Sequence, residues 1–364
     1  MNRRSLLIGA GGAALIAGAG ALGWRAGVGP VGAYEAYADR LRIPLPEPAG
    51  IEDLVRFATL AANSHNTQPW RFRVAAGAID ILPDRSRSTP AVDPGDHHLF
   101  VSLGCAAENL AIAGAASGRP GTIAVLDDGG VRYAYAASAP RPDPLMAAIA
   151  RRQTTRAIYD GRPVPAAIVE ALLEAANVPG VRTIVLTERP RIDRIRDLVV
   201  AANDAQIADA AFVAELKAWL RFNPRSAMAR GDGLYAGCTQ SPLMPDSIGR
   251  WAFDAFFSAA AEREKYARHV DSSAGIAVFV AERADRAHWI AVGRACQQFA
   301  LTATKLGLKH AFINQPVEVA RLRPELASTI GEPGLRPDLV LRFGYGPTLP
   351  YAPRRPPAAV MERA

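Results

Sequence analysis

The sequence predicts an α+β fold in which one helix-and-strand unit is used twice. Two matched pairs of segments carry that prediction. "LGCAAENLAIAGAASG" (Leu103–Gly118) and "VGRACQQFALTATKLG" (Val292–Gly307) align Gly104 with Gly293, Ala106 with Ala295, Ala111 with Ala300 and Gly118 with Gly307. Helical apolar spacing fills the residues between the glycines. "IEDLVRFATLAAN" (Ile51–Asn63) and "AIVEALLEAAN" (Ala167–Asn177) are amphipathic, and both close on Ala-Ala-Asn. Each of the four segments runs into a strand-like stretch, in turn "WRFRV", "TIAVL", "TIVLT" and "HAFIN". Because the pairs recur in the same order, each half reads helix, strand, long glycine-started helix, strand.

At the amino end, "MNRRSLLIGAGGAALIAGAGALGW" sets Arg3 and Arg4 before an apolar, Gly/Ala-rich run. It resembles a twin-arginine export signal, and the run is also barely long enough to stay in a bilayer as an anchor. "GAGGAA" (Gly9–Ala14) matches a dinucleotide fingerprint in letters only, because the residues after it are apolar all round and are interrupted by Arg25. Residues 1–39 are assigned to this leader, with "AYA" (Ala36–Ala38) as a candidate cleavage site. Residues 40–145 form the first half and 146–358 the second. Gly118 and Gly307 close the long helices as left-handed C-caps. From Ala62 to Gly104 is 42 residues, whereas from Ala176 to Gly293 is 117, so the second half carries about 75 extra residues, mostly at 205–267. This insertion contains "NPRSAMARGDGLYAGCTQSPLMP", whose composition predicts a loop and whose length predicts a lid. Met228, Tyr235, Leu243 and Met244 are the apolar residues expected to cover a ligand.

Composition narrows the function classes. The 364 residues include 42 basic and 35 acidic side chains, a formal charge of +7 carried mostly by arginine. Such a balance suits small anionic ligands, and no alternation of basic and aromatic residues marks a nucleic-acid face. Cys105, Cys238 and Cys296 form no C-x-x-C pair and read as buried or free thiols. His97 and His98 are adjacent and the other histidines scattered, so no metal site is expected.

The densest chemistry lies in "AANSHNTQPWRF" (Ala61–Phe72), where neutral donors and acceptors crowd ahead of Pro69 and Trp70. "NSHNTQPWRF", "RRQTTRAIYDGRPVP" and "GYGPTLPYAPRRP" together resemble the nitroreductase family of FMN enzymes, and more closely its single-chain, Acg-like branch. The resemblance covers roughly residues 40–358. It implies an intramolecular pseudo-dimer, a monomeric chain in which the polar loop of the first half and the arginine segment of the second complete one FMN site. The second half offers only "NVPGVRT" in place of the polar loop. The first begins with "RIPLPEPAG", which carries no such arginine segment.

By resemblance, Asn63, Ser64 and Asn66 touch the flavin, and Gln68, Pro69 and Trp70 fix the loop to the next strand. Arg152, Thr154 and Arg156, with Arg354 and Arg355 at the tail, match the phosphate and pyrimidine-edge contacts. Gln315 is the candidate beside N5, while Glu318 reads equally well as a surface residue. No protein catalytic nucleophile is implied. The implied activity is hydride transfer from NAD(P)H via flavin N5 to a nitroaromatic, quinone or similar acceptor. The alternative is an FMN-sequestering protein whose lid suppresses turnover.

Overall fold

The computed structural model describes residues 23–362. The twin arginines and nearly all of the apolar run lie outside the described residues. Helix α1 (Val31–Arg40) leads into the first half: α2 (Ile51–Thr59), β1 (Trp70–Ala75), β2 (Ala78–Pro83), α3 (His97–Ala116), β3 (Gly121–Val125) and β4 (Val131–Tyr135). After α4 (Met146–Arg151) the second half begins with α5 (Ala166–Ala175) and β5 (Val181–Leu186). Helices α6 (Arg189–Ile207) and α7 (Ala210–Trp219) follow, then β6 (Leu220–Arg221), α8 (Pro224–Arg230), β7 (Leu234–Tyr235), α9 (Asp246–Phe256) and α10 (Ala259–Asp271). The half closes with β8 (Gly275–Ala281), α11 (Arg286–Lys305), β9 (Lys309–Phe312), α12 (Gln315–Glu318), α13 (Arg323–Ile330) and β10 (Pro337–Gly344).

The two four-stranded sheets have orders β1-β2-β4-β3 and β5-β8-β10-β9, with every neighbouring pair antiparallel. Matching β1 to β5, β2 to β8, β3 to β9 and β4 to β10 superposes one order on the other. In both halves a 20-residue helix links the second and third strands of the unit. Those helices, α3 and α11, pack on each other through the glycines that the sequence pairs. A Cβ on Gly104 would lie 2.0 Å from the carbonyl oxygen of Ile290, and one on Gly293 would lie 2.0 Å from that of Val101. Only glycine permits this backbone-on-backbone crossing. Both helices end in Schellman turns, with Arg119 N donating to Gly114 O and Leu308 N to Ala303 O, each at 2.8 Å.

Strands β8 and β10 are buried along their whole length, which fits the unbroken apolar run of β8; β10 carries Asp338 and Arg342 buried within it. One face (Ile276, Val278, Val280, Val340) packs on Ile192, Ile195 and Val199 of α6. The other (Ala277, Phe279, Leu341, Phe343) joins Phe299 of α11 in the main core.

The segment without counterpart in the first half spans residues 187–274, between β5 and β8, where β1 and β2 form a tight hairpin. It is wider than the expected 205–267, because α6 belongs to it and packs on α10. It is also more helical than its composition predicts. Asn223 caps α8, accepting from Ser226 N at 2.8 Å, with Pro224 in the first turn where no amide donor is needed. Met228 and Leu243 do not reach a ligand cavity. Both pack with Tyr34, Tyr37 and Tyr235 in a separate small core.

Helix α1 lies before the expected leader boundary at residue 39 and packs on the rest of the chain. Tyr34 is buried, packs with its ring 4.3 Å from that of Tyr235 at a 40° tilt and donates to Tyr351 O at 2.6 Å. The candidate cleavage site Ala36–Ala38 therefore falls inside a helix that is part of the folded unit.

Candidate functional site

The polar loop is held in an unusual backbone conformation. His65, Asn66 and Gln68 have φ of 44°, 54° and 54°, left-handed values that cost non-glycine residues on the order of 1–3 kcal/mol each. Long-range hydrogen bonds hold it there. Asn66 Nδ2 donates to Gly233 O at 3.0 Å and Pro353 O at 2.9 Å, and Asn66 Oδ1 accepts from Arg354. Gln68 Nε2 donates to Gly231 O at 2.8 Å, and its Oε1 accepts from Arg355 N at 2.9 Å. Asn63 Oδ1 accepts from Gln68 N at 2.8 Å. The amides of Asn66 and Gln68 thus stitch the loop to the insertion and to the carboxyl-terminal segment, while Asn63 braces the loop from within.

Behind this loop lies a chamber of about 550 Å³, counted to its open mouth, lined by Arg42, Arg152, Arg156 and Arg354, together with Asn63, Asn66, Thr154 and Leu234. None of the four arginines makes an ion pair among the described residues. Arg152 and Arg354 instead donate to carbonyls at the C-terminal end of α2: Arg152 to Leu60 O at 3.1 Å, Arg354 to Ala61 O at 3.1 Å. Helix-end carbonyls offset only part of a cation. Desolvation accordingly drives the Arg354 guanidinium down to about 9 and that of Arg42 to about 10, and lowers Arg152. Guanidinium groups stay protonated in proteins, so the depression registers an electrostatic cost rather than a lost charge. The buried Nε atoms of Arg152 and Arg354 have no partner. The charge of this lining suits an anion.

A second chamber of about 970 Å³, counted to its open mouth, shares Ala62, Asn63, Arg156 and Leu234 with the first. Its polar wall carries Ser64, His65, His98, Asn314, Gln315 and Glu318. Phe212, Leu216, Leu234, Phe257 and Tyr266 of the insertion also line it. Burial lowers His65 to about 4, with Arg156 and His98 adding to the effect, so the ring is neutral at neutral pH.

The nitroreductase family profile matches residues 149–345, more than half of the sequence. The chain belongs to the nitroreductase family. A Mycobacterium tuberculosis (strain ATCC 25618 / H37Rv) protein named "Putative NAD(P)H nitroreductase Rv3131" is 27% identical over 328 residues, covering 87% of this chain and 92% of its own. "Putative NAD(P)H nitroreductase acg" from the same strain is 24% identical over 330 residues, covering 84% of this chain and 93% of its own. Among solved structures, the Desulfitobacterium hafniense nitroreductase with bound FMN is 15% identical with a TM-score of 0.36, over 59% of this chain and 94% of that one. That likeness is too loose to weigh on the site.

In this nitroreductase, the sequence-predicted residues fall into two groups. Asn63, Ser64, Arg156 and Gln315 line the larger chamber, and Asn63, Asn66, Arg152, Thr154, Arg156 and Arg354 line the arginine chamber. Arg355 is brought to neither. Its guanidinium donates to Ala359 O at 2.5 Å, because the chain turns outward after Arg354. Tyr235, expected on the lid, lines the arginine chamber instead. Two residues, Arg42 and His98, escape sequence reasoning, and Glu318, which it left open, is placed. Arg42 supplies a fourth guanidinium from the stretch in which no arginine segment is expected. His98 and Glu318 face the larger chamber, Glu318 from one turn beyond Gln315 rather than on the surface. A buried carboxylate beside an Asn-Gln-Pro turn has no local signature.

Proposed function

We propose that the chain is an FMN-dependent oxidoreductase with one flavin per chain, using NAD(P)H to reduce a nitroaromatic, quinone or similar acceptor. The observation that carries this is a chamber of uncompensated buried arginines opening into a larger, mostly neutral one. The first fits a dianionic phosphate, which would pair with Arg42, Arg152 and Arg354 through forked, charge-assisted bonds. The second fits a planar ring system with one polar edge. When bound, FMN would supply two-electron, hydride-accepting chemistry there.

The chain's own contribution is positioning and electrostatics. Arg156, common to both chambers, would offset negative charge that collects on the ring's pyrimidine edge on reduction. Ser64 supplies a hydroxyl without fixed charge. Phe212, Leu216 and Phe257 keep water from the chamber. A groove at the start of α11 also carries three arginines, Arg85, Arg283 and Arg286, but they share it with Asp96, Asp127 and Asp285, in keeping with one site per chain.

A second reading, flavin sequestration with little turnover, is favoured by one observation: five apolar or aromatic side chains of the insertion line the larger chamber. One experiment separates the two. Purified protein should release about one FMN per chain on denaturation, and NAD(P)H should bleach the bound flavin. FMN present but unreduced would select sequestration, and FAD or no flavin would defeat both. Twin-arginine export is part of the same proposal, with α1 retained in the mature protein.

A further inference from the structure

Three buried carboxylates meet an arginine, whereas Asp93, Asp338 and, in the larger chamber, the largely buried Glu318 meet none among the described residues. Asp80, Glu108 and Asp232 each meet an arginine: Arg132 at 2.7 Å, Arg294 at 2.8 Å and Arg221 at 2.6 Å. Glu318, whose side chain is 14% exposed, has no lysine or arginine within 4.0 Å among the described residues. Its Oε2 accepts a hydrogen bond from Gln206 Nε2 at 2.6 Å, and its Oε1 lies 3.8 Å from His98 Nδ1. Glu318 and Gln315 both line the chamber from the same short helix, and the buried Gln315 Oε1 has no partner.

We propose that Glu318 is the general acid that protonates the acceptor as it is reduced in this chamber. The inference rests on the flavin-reductase reading of the site. Burial holds the carboxyl above the ordinary glutamate range; His98 and the Gln206 amide act against the rise, and Asp93 and Glu215 add to it. The group therefore keeps its proton to a higher pH than a solvated glutamate would. Other groups lining the chamber are worse placed for the task. His65 is neutral near pH 7, Tyr266 is raised by burial, and Glu262 is paired with Lys265.

For a quinone, a hydride equivalent originating from NAD(P)H adds two electrons and leaves an oxyanion. The Glu318 O–H bond then breaks as an O–H bond forms on that oxygen, giving the hydroquinone. The carboxylate left behind keeps the Gln206 hydrogen bond and is reprotonated from solvent. Atoms and charge balance as quinone, hydride and proton to hydroquinone.

The test uses the FMN-loaded wild-type protein and Glu318→Gln, which preserves size and an oxygen for the Gln206 amide. An infrared pH titration should show a protonated-carboxyl band that persists to higher pH than that of a solvated glutamate, shifts in D₂O and is missing from E318Q. This readout needs no turnover. In stopped flow, reoxidation of reduced E318Q by a quinone should be about a hundredfold slower than wild type, the low end of general-acid contributions. Reoxidation by ferricyanide, which accepts one electron and no proton, should be unchanged, and Glu318→Asp should recover part of the quinone rate.

A wild-type carboxyl band that persists no higher in pH than that of a solvated glutamate, an undiminished quinone rate in E318Q, or an equal loss with both acceptors would each overturn the proposal. Dithionite can reduce the flavin where NAD(P)H does not. The reoxidation arm is therefore read even if NAD(P)H fails, and the two readings fail separately.

Discussion

Replacing Arg152 with methionine should weaken FMN binding without unfolding the flavin-free protein. Arg152 is 5% exposed, donates to Leu60 O at 3.1 Å, and makes no ion pair among the described residues. Methionine keeps most of the buried volume. Leu60 O also keeps a second donor, Arg354 Nη2 at 3.4 Å, so no carbonyl is left bare. Removing a buried cation that lacks a counter-charge costs the empty protein little and relieves an electrostatic penalty. The loaded protein loses a charge-assisted contact to a buried dianion, on the order of 1.5–3 kcal/mol. At about 1.4 kcal/mol per tenfold, that is about 10- to 150-fold in Kd. The assay is quenching of FMN fluorescence on titration into flavin-free protein, with thermal melts of both forms. Flavin-free R152M should melt no lower than wild type, and the increment that FMN adds should shrink. Arg189→Ala is the control, since Arg189 is exposed and paired with Asp193 and Asp271; its effect should be under about twofold. Wild-type affinity in R152M would refute the reasoning, as would a large loss of flavin-free stability with affinity intact.

Three further outcomes are expected from the same structure. Gly104→Ala forces a methyl into the Ile290 carbonyl and should cost about 3 kcal/mol or more in urea unfolding, at the upper end for overpacking; a cost under about 1 kcal/mol would mean that α3 and α11 slide apart freely. A chain starting at Asp39 lacks Tyr34 and Tyr37, which bond the backbone at Tyr351 and Arg354, and should retain less FMN on dialysis than one starting at Gly23. Equal retention would show that α1 is dispensable, and mass spectrometry finding a mature terminus at Asp39 would contradict its retention. Changing Arg3 and Arg4 together to lysine should leave folded protein in the cytoplasm on fractionation, because the export route reads the arginine pair; unchanged export would rule that route out.

The repeat was legible because it rests on local and periodic rules. A glycine that ends a helix, a 3.6-residue apolar spacing and an Ala-Ala-Asn terminus are each written in neighbouring residues, and both halves carry them. Gly104 and Gly293 could be paired as equivalents from the sequence. That they touch each other could not, since the contact joins residues far apart in the chain. The role of the arginine segment was legible only through the family resemblance, since the stretch by itself reads as well as a solvated basic turn.

The sequence by itself determined the helix and strand types, the doubled unit and the basic character of the ligand site. Tertiary structure alone decided which polar groups remain free to meet a ligand. The Asn66 amide reads from the sequence as a flavin contact, yet it is spent on Gly233, Pro353 and Arg354. Arg42, by contrast, comes from an unpromising stretch and completes the cation cluster. Glu318 became a buried acid only because α6 places Gln206 beside it and no arginine within reach. A hydrogen bond or ion pair is satisfied by whatever group the fold brings within about 3 Å, at any separation along the chain. Local pattern encodes backbone conformation, and the unsatisfied remainder that binds and reacts exists only once distant segments have met.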